Sequence, residues 1–349
     1  MKTATTIGSM PHVSPDEALD IIMRRTPDLV AWPQLPRRSY LENMTAQYSE
    51  NFPGITRDDA KKRVYVSSEA ALAGLEKFYE KYLADDIDYF SVSSDVAAGL
   101  HALLKRSAAS PSIAVKCQTA GPVTFAMMLK DENDKPVFFD ENLRDAAIKN
   151  VAMKSVWQLK AFAGACRTVF LDEPYLSAYG SAFTALSRED VVDTLKAAFG
   201  EVRRLAPAAL GLSASSGTDG KDVSIGVHCC GNTDWSLLVD GGADIISFDS
   251  HGFAESLALA ADSVKKFLEA GGRIVWGAVP TSADVLAAET PASLKKRLDD
   301  AVAVVAAKGV DEKLLRGRML ISPACGLGSL DEKTAALALE YTQILAESL

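Results

Sequence analysis

A histidine and two cysteines stand together at the end of a short apolar run, at His228, Cys229 and Cys230. Side chains alternate between the two faces of an extended strand, so His228 and Cys230 point to one face and Cys229 to the other. An imidazole nitrogen and a thiolate sulfur on one face suit Zn²⁺. Because two ligands do not complete a zinc site, the sequence predicts further ligands at the ends of other strands.

Two later segments offer the missing ligands. Residues 245–249 read as a strand that ends in Asp249, and residues 320–326 read as a strand followed by Cys325. The predicted zinc ligands are therefore His228, Cys230, Asp249 and Cys325, with His251 as the alternative to Asp249. They come from strand ends spread over about a hundred residues. Structural zinc sites usually use short clustered spacings, so this pattern favours a catalytic site.

The mixed ligand set suggests a reaction. A carboxylate is the hardest of these ligands, so an incoming thiol would displace Asp249 most easily, which gives this residue a predicted catalytic role. Zinc would hold the substrate thiol as a thiolate at neutral pH, although the pKa of a free thiol is about 8.5. A thiolate held in this way is suited to attack a carbon electrophile.

Strand and helix patterns alternate along nearly the whole chain, which predicts a parallel sheet with right-handed crossovers. Polar or unusual residues follow almost every strand pattern, namely Ser9, Asp95, Gln118, Asp172, His228, Asp249, Pro280 and Cys325. A (βα)8 barrel keeps its active site at these strand ends, whereas a doubly wound open sheet gathers its chemistry at one switch point. We therefore predict a single (βα)8 TIM barrel, an α/β fold, over residues 1–349, with the doubly wound sheet as the alternative.

One part of the N-terminal half departs from the alternation. Residues 33–66 contain several prolines and no clear period, which indicates an elaborated loop with a hairpin around Pro53 and Gly54. A helical pattern follows from Ser68 to Leu83. Residues 89–92 then read as a strand that ends near Asp95. The predicted barrel therefore carries an N-terminal insertion.

Composition limits the classes of partner. The chain has 349 residues, a net charge of −9 and no basic block, which argues against nucleic acid or an anionic membrane surface as a partner. No signal pattern opens the sequence and no apolar run approaches the ~18 residues of a membrane span, so we expect a cytoplasmic protein. Five cysteines in so long a chain fit reduced thiols or metal ligands better than disulfides.

Six motifs, taken in order, resemble the catalytic C-terminal half of cobalamin-independent methionine synthase. They are residues 6–9 (TIGS), 120–124 (AGPVT), 171–174 (LDEP), 228–230 (HCC), 243–249 (ADIISFD) and 323–327 (PACGL). The likeness covers nearly the whole chain. The wider superfamily includes uroporphyrinogen decarboxylase and the methylcobalamin:coenzyme M methyltransferases, and all its members are (βα)8 barrels.

The resemblance implies roles for individual residues. His228, Cys230 and Cys325 fall on zinc ligands, and Asp249 falls where the family has glutamate. The segment Ile7, Gly8 and Ser9 falls on groups that hold the homocysteine carboxylate. Asp95 and Asp172 fall on acids that face its amino group, with Asp95 again in place of a glutamate, and Asp172 is also a predicted catalytic residue. Pairing an ammonium with two carboxylates is sound electrostatically.

One departure from the family concerns the methyl donor. The family's Asp-Ile-His-Ser-Pro segment, whose histidine is thought to help the folate nitrogen leave, has no counterpart here, and the matching strand carries Trp276. A tertiary amine needs protonation to leave, whereas cobalt leaves a methylcorrinoid without a proton. The chain also lacks the family's N-terminal barrel, and so resembles the short core methionine synthases, which take the methyl group from a corrinoid protein.

The sequence thus predicts a zinc-dependent methyltransferase that converts homocysteine to methionine with methylcobalamin, carried by a corrinoid protein, as donor. Three enzymatic alternatives stay open: another thiol acceptor such as coenzyme M, methyltetrahydrofolate as donor, and a porphyrinogen decarboxylase, for which only Arg37 and Arg38 are obvious cationic candidates. A metal-binding or corrinoid-carrier accessory without turnover is the non-catalytic alternative.

Overall fold

The computed structural model describes residues 2–110, 112–162, 164–181, 184–212 and 223–349. These residues form ten strands: β1 (Thr3–Ala4), β2 (Val30–Ala31), β3 (Ile55–Asp58), β4 (Arg63–Val66), β5 (Val115–Ala120), β6 (Cys166–Asp172), β7 (Ser224–Cys229), β8 (Ile245–Phe248), β9 (Arg273–Val279) and β10 (Met319–Pro323). Strands β3 and β4 pair as an antiparallel hairpin. The other eight form one parallel sheet in the order β1-β10-β9-β8-β7-β6-β5-β2. The predicted α/β fold is confirmed.

Helices fill the connections between the strands. In the part of the chain that the structure describes they are α1 (Pro15–Arg25), α2 (Met44–Gln47), α3 (Ser68–Leu83), α4 (Ala98–Ala109), α5 (Pro122–Met128), α6 (Glu141–Ala161), α7 (Arg188–Ala209), α8 (Ser236–Gly241), α9 (Ser250–Leu259), α10 (Ala261–Glu269), α11 (Ala283–Ala287), α12 (Pro291–Ala306), α13 (Glu312–Gly317) and α14 (Glu332–Glu347). None of the helices in these residues is long and apolar enough to cross a membrane.

The two end strands of the sheet meet just beyond their carboxyl ends, so the sheet curls into a (βα)8 TIM barrel. Ser9 and Gln34 form a parallel bridge, in which the Gln34 N–H donates to the Gly8 carbonyl at 3.0 Å. The Met10 N–H donates in return to the Gln34 carbonyl at 2.9 Å. The seam between β1 and β2 is therefore closed by the loops that follow these two strands.

Apolar side chains fill the lower part of the barrel interior. Phe170, Ile245, Val275 and Leu320 come from four different strands and form their own buried cluster. Gly226 of β7 makes room for the largest of them, because a Cβ there would lie 2.6 Å from the Phe170 ring. Since side chains alternate along a strand, the residues two positions further along these strands also face inward, toward the mouth. The apolar layer thus forms the floor of the site.

The insertion between β2 and β5 differs in two details from the prediction. The hairpin turn lies at residues 59–62, after Pro53 and Gly54. The predicted strand at residues 89–92 is wrong, because Ile87–Phe90 forms a 3-10 helix that Asp86 caps. Aromatic contacts explain the difference: the Phe90 ring packs edge-on against Phe78 of α3, with 5.2 Å between centroids, and pairs with no strand.

Candidate active site

Three of the four predicted zinc ligands meet at the mouth of the barrel. His228 lies on β7, Cys230 directly follows that strand, and Cys325 follows β10. One possible ligand atom from each side chain lies within 4.8 Å of the other two. His228 is buried, and the two cysteines are half-buried. The arrangement offers one nitrogen and two sulfur atoms around a common point, a set of donors that suits Zn²⁺.

A neighbouring strand orients the histidine ring. His228 Nδ1 lies 3.0 Å from the hydroxyl oxygen of Ser247, the buried residue opposite it on β8. Nε2 is buried and has no hydrogen-bond partner among the described residues. A hydrogen bond at one ring nitrogen commonly fixes a histidine so that the other nitrogen can bind a metal. The orphaned Nε2 therefore fits a metal ligand.

Of the two clustered thiols, one loses its proton more easily than usual and the other less easily. A hydrogen bond from the Cys325 thiol and the nearby His228 ring lower the pKa of the Cys230 thiol. The hydrogen bond to Cys230 and burial raise the pKa of Cys325. A thiolate at Cys230 is the form that binds zinc, and zinc binding would release the second proton from Cys325. The donor set fits Zn²⁺ even though the protein alone ionises only one of the two thiols easily.

The structure does not bring Asp249 into the cluster of three ligands. Its side chain caps helix α9 and accepts a hydrogen bond from the Gly252 N–H at 2.8 Å. The alternative ligand, His251, does not belong to the cluster either, and its Nε2 lies 3.4 Å from Glu289. Asp249 thus occupies an ordinary helix-capping position, and its role as a fourth ligand stays a prediction.

Asp172 ends β6 beside His228 and is a buried acid with an empty hydrogen-bonding position. The side chain is 2% exposed, and its Oδ1 has no partner among the described residues. Burial raises the pKa of Asp172 to about 6, although the charges of Lys116 and His228 act in the opposite direction. A buried carboxylate without partners is costly, so this residue fits the binding of a cationic group.

The adjacent Glu173 has a structural role that the sequence analysis missed. Its two carboxylate oxygens accept hydrogen bonds from the N–H groups of Val123 and Thr124, at 2.9 and 2.7 Å. Burial raises the pKa of Glu173 to about 7. The acid therefore joins two of the motifs, 120–124 and 171–174, by binding the N-terminus of helix α5. The spacing of the two motifs in the sequence could not predict this contact between the start of helix α5 and a buried acid.

The segment of Ile7, Gly8 and Ser9 lines the mouth next to Cys325. Ser9 accepts a hydrogen bond at its carbonyl from the Leu327 N–H at 2.8 Å, which fixes the segment to the loop after β10. Gly8 has a φ of +140°, which glycine adopts readily. The predicted substrate-binding segment and the predicted metal ligand therefore share one wall of the mouth.

Asp95 is the predicted site residue that the structure places differently. It is exposed and lies in a turn before helix α4, because the segment before it is a 3-10 helix and not a barrel strand. Its carboxylate therefore does not end a strand of the barrel. The predicted contact of Asp95 with a substrate amino group stays a prediction.

Lys116 was missed by the sequence analysis and lies inside the barrel. It is 1% exposed on β5, and its ammonium lies 4.6 Å from the centroid of the Phe170 ring. Burial lowers the pKa of Lys116 to about 8, while the charge of Asp172 favours the protonated form. A lysine next to alternating apolar residues gave no signal of chemistry in the sequence, because lysine is common on solvent-facing strands.

Comparison with known proteins identifies relatives of the fold. Neither the protein-family models nor the curated protein sequences contain a match. Among solved structures, a B12-independent methionine synthase from Shewanella sp. W3-18-1, in complex with selenomethionine, superposes with a TM-score of 0.57 at 14% identity, covering 100% of this chain and 97% of that chain. A putative vitamin-B12 independent methionine synthase from Listeria monocytogenes gives a TM-score of 0.51 at 16% identity, covering 96% and 85%. At these identities the likeness establishes the fold.

Proposed function

We propose that this protein is a zinc-dependent thiol methyltransferase that methylates homocysteine to methionine. The observation that carries the proposal is the cluster of His228, Cys230 and Cys325, with the free Nε2 of His228 facing no protein partner among the described residues. Catalytic zinc sites typically have three protein ligands and one open position. Zinc bound there would hold a substrate thiol as a thiolate at neutral pH.

The residues around the cluster match the remaining groups of an amino acid thiol. Asp172 offers a buried carboxylate without a hydrogen-bond partner to the substrate ammonium. Ile7, Gly8 and Ser9 offer backbone N–H groups to the substrate carboxylate, as the motif resemblance implies. Charge pairing at both ends of the substrate would orient its thiol toward the cluster. Coenzyme M carries no ammonium, so the buried Asp172 carboxylate would stay without a partner in a complex with that acceptor, whose assay is the second arm of the test below.

For the donor we propose methylcobalamin, presented by a corrinoid protein at the barrel mouth. The inward-facing residues of β9, Val275 and Gly277, carry no acid that could protonate a folate nitrogen. Trp276 packs outward against Phe248, with 5.2 Å between ring centroids. Both structural neighbours are described as B12-independent, which counts against this donor. Methyltetrahydrofolate is therefore the alternative methyl donor that the assay must include.

A porphyrinogen decarboxylase would need cationic side chains free at the mouth for an acidic substrate. The two arginines that the sequence offered both have protein partners. Arg37 donates to the carbonyls of Ser329 and Leu330, and Arg38 pairs with the buried Glu42 at 2.7 Å. These contacts favour the methyltransferase over the decarboxylase.

The test is a methyl-transfer assay with zinc-loaded protein, in which methionine is measured by mass spectrometry. Homocysteine is offered with methylcobalamin, with methyltetrahydrofolate, or with neither, and coenzyme M replaces homocysteine in a parallel series. We expect methionine from homocysteine and methylcobalamin. Methionine with methyltetrahydrofolate alone would reverse the donor, product from coenzyme M alone would reverse the acceptor, and silence in every arm would contradict the methyltransferase.

A further inference from the structure

The buried ammonium of Lys116 has one hydrogen bond among the described residues, and it reaches the segment at the mouth. Its Nζ donates to the Ile7 carbonyl at 2.9 Å. Lysine is almost never buried completely without a partner of opposite charge. In the described residues no carboxylate accepts a hydrogen bond from this ammonium, although the charge of Asp172 favours its protonated form. The position of this lysine therefore needs a reason beyond packing.

All three carbonyls of the segment are held by other parts of the protein. The Ile7 carbonyl accepts from Lys116, the Gly8 carbonyl from the Gln34 N–H, and the Ser9 carbonyl from the Leu327 N–H. The N–H groups of the same three residues donate to no acceptor among the described residues. The segment is thus anchored entirely through its acceptors, and its donors are left for a ligand.

Peptide geometry turns this anchoring into an orientation. In a trans peptide the carbonyl of one residue and the N–H of the next point in opposite directions. Lys116 holds the Ile7 carbonyl from the floor of the site, where its ammonium lies beside the Phe170 ring. The Gly8 N–H therefore points away from the floor. The ammonium also places a positive charge behind these N–H groups, which favours an anion on their other side.

We propose that Lys116 is a positioning residue for the substrate carboxylate: by holding the Ile7 carbonyl it aims the Gly8 N–H into the mouth. The inference rests on the proposed function, because it takes the substrate to be a thiol that carries a carboxylate. Lys116 itself does not touch the substrate. Its loss should therefore weaken recognition of the carboxylate and leave reaction at the thiol largely intact.

The chain offers a matched control in Lys154. This lysine of α6 is also fully buried and also donates to a backbone carbonyl, that of Ser91, at 3.3 Å. Burial lowers its pKa to about 8, as it does for Lys116. Lys154→Met therefore removes a comparable ammonium from a part of the molecule outside the barrel interior.

The experiment compares Lys116→Met and Lys154→Met with two thiols, homocysteine and 3-aminopropane-1-thiol, which lacks the carboxylate. Hydrogen bonds to charged groups are strong enough that we expect the KM for homocysteine to rise roughly 10- to 100-fold in Lys116→Met, with kcat within about threefold. The KM for 3-aminopropane-1-thiol should stay within about twofold of wild type. Lys154→Met should leave the ratio of the two KM values unchanged.

Equal shifts for both thiols in Lys116→Met, or the same selective shift in Lys154→Met, would overturn the proposal. Should Lys116→Met fail to fold, Lys116→Gln keeps an N–H donor for the Ile7 carbonyl, and its KM ratio should lie between wild type and total loss of discrimination. If Lys116→Gln keeps the wild-type ratio of the two KM values, the hydrogen bond to the Ile7 carbonyl is enough to position the segment. If Lys116→Gln no longer discriminates between the two thiols, the positioning role is contradicted. Failure of the proposed function is recognised separately, because adding either thiol to cobalt-loaded wild-type protein would then give no thiolate absorption beyond that of Cys230 and Cys325.

Discussion

The two layers of the barrel interior differ in how completely their atoms are satisfied. The lower layer of Phe170, Ile245, Val275 and Leu320 is apolar and buried, and Gly226 shapes it to the Phe170 ring. The upper layer is also buried, yet Asp172 Oδ1, His228 Nε2 and Gln118 Oε1 have no hydrogen-bond partner among the described residues. The residues of the two layers are neighbours on the same strands.

This contrast separates stability from function within one structure. Burial of the lower layer stabilises the barrel, whereas unsatisfied polar atoms in the upper layer cost free energy in the absence of a ligand. Proteins commonly carry such costs at functional sites. Substitutions in the lower layer should therefore change stability alone, and substitutions in the upper layer should change metal and substrate binding.

The largest effect is expected from Cys325→Ser in the upper layer. The substitution removes one of the three proposed zinc ligands, so zinc affinity and methyl transfer should both fall by more than the roughly 10- to 100-fold expected from losing an outer hydrogen-bond partner. Zinc content is measured by elemental analysis. The control is Cys229→Ser, since Cys229 lies next to the cluster in sequence but on the other face of β7. Equal zinc in Cys325→Ser and wild type would contradict the site.

Leu320→Ala should destabilise the protein without affecting the site. Deleting a buried leucine side chain costs about 2 to 5 kcal/mol, through lost burial and the cavity left behind. The free energy of unfolding is measured by denaturant titration, and zinc affinity by competition with a chelator. A large loss of zinc affinity in folded Leu320→Ala protein would break the proposed separation of the two layers.

Asp172→Asn should make metal-free protein more stable at high pH. Burial raises the pKa of Asp172 from 3.8 to about 6, so the native state holds this proton more tightly than the unfolded state. Wild-type stability therefore falls as pH rises through this window, and the variant escapes that loss. The stability difference in favour of the variant should grow by about 3 kcal/mol between pH 3 and pH 8, at about 1.4 kcal/mol per pKa unit.

The matching control for this pH dependence is Asp95→Asn, which changes an exposed carboxylate. Denaturant titrations at several pH values give the stability difference for each variant. A flat difference for Asp172→Asn, or an equal slope for Asp95→Asn, would mean that burial of Asp172 is not the cause. In the methyl-transfer assay, Asp172→Asn should also raise the KM for homocysteine more than the KM for its deaminated analogue, 4-mercaptobutanoate.

Ser247→Ala should weaken zinc binding while leaving the three ligands in place. The hydroxyl of Ser247 is the hydrogen-bond partner of His228 Nδ1, and loss of such a partner typically lowers metal affinity about 10- to 100-fold. Ser322→Ala is the control, because this buried serine of β10 donates instead to the Pro323 carbonyl. Equal zinc affinities in the two variants would show that the Ser247 contact does not orient the histidine.

The smallest effect is expected from Asp249→Asn. Asparagine caps a helix about as well as aspartate, so helix α9 should be retained. Because the carboxylate caps the helix, we expect zinc affinity to change by less than about threefold. Loss of even an outer contact to a metal ligand typically lowers affinity by roughly tenfold or more, so the two cases can be told apart. A greater loss would establish Asp249 as the fourth ligand, as the sequence suggested, and would require the α9 cap to rearrange when zinc binds.

Local patterns predicted that the side chains of His228, Cys230 and Cys325 lie close together. The alternation of side chains along β7 placed His228 and Cys230 on one face, and the barrel topology brought Cys325 beside them. Helix α3 has the predicted bounds, Ser68–Leu83, because its apolar residues recur with helical period. These features depend on short-range geometry and on the regular order of strands in a (βα)8 barrel.

Other features depend on contacts between distant residues and could not be read in this way. Residues 89–92 have the composition of a strand, but packing of Phe90 on α3 favours a 3-10 helix over Ile87–Phe90. Asp249 follows a strand as the three clustered residues do, yet its carboxylate caps the start of helix α9. Lys116 became a candidate only when its ammonium was found 2.9 Å from the Ile7 carbonyl.

X-ray absorption spectroscopy of zinc-loaded wild-type protein, with and without homocysteine, tests the central claim most directly. The cluster supplies two sulfur ligands, from Cys230 and Cys325, and one nitrogen ligand, from His228. We predict that homocysteine raises the number of sulfur atoms bound to zinc from two to three, at the Zn–S distance of about 2.3 Å. An unchanged sulfur count at saturating homocysteine, or the absence of bound zinc in reduced protein, would contradict the assignment of this cluster as a thiol-binding site.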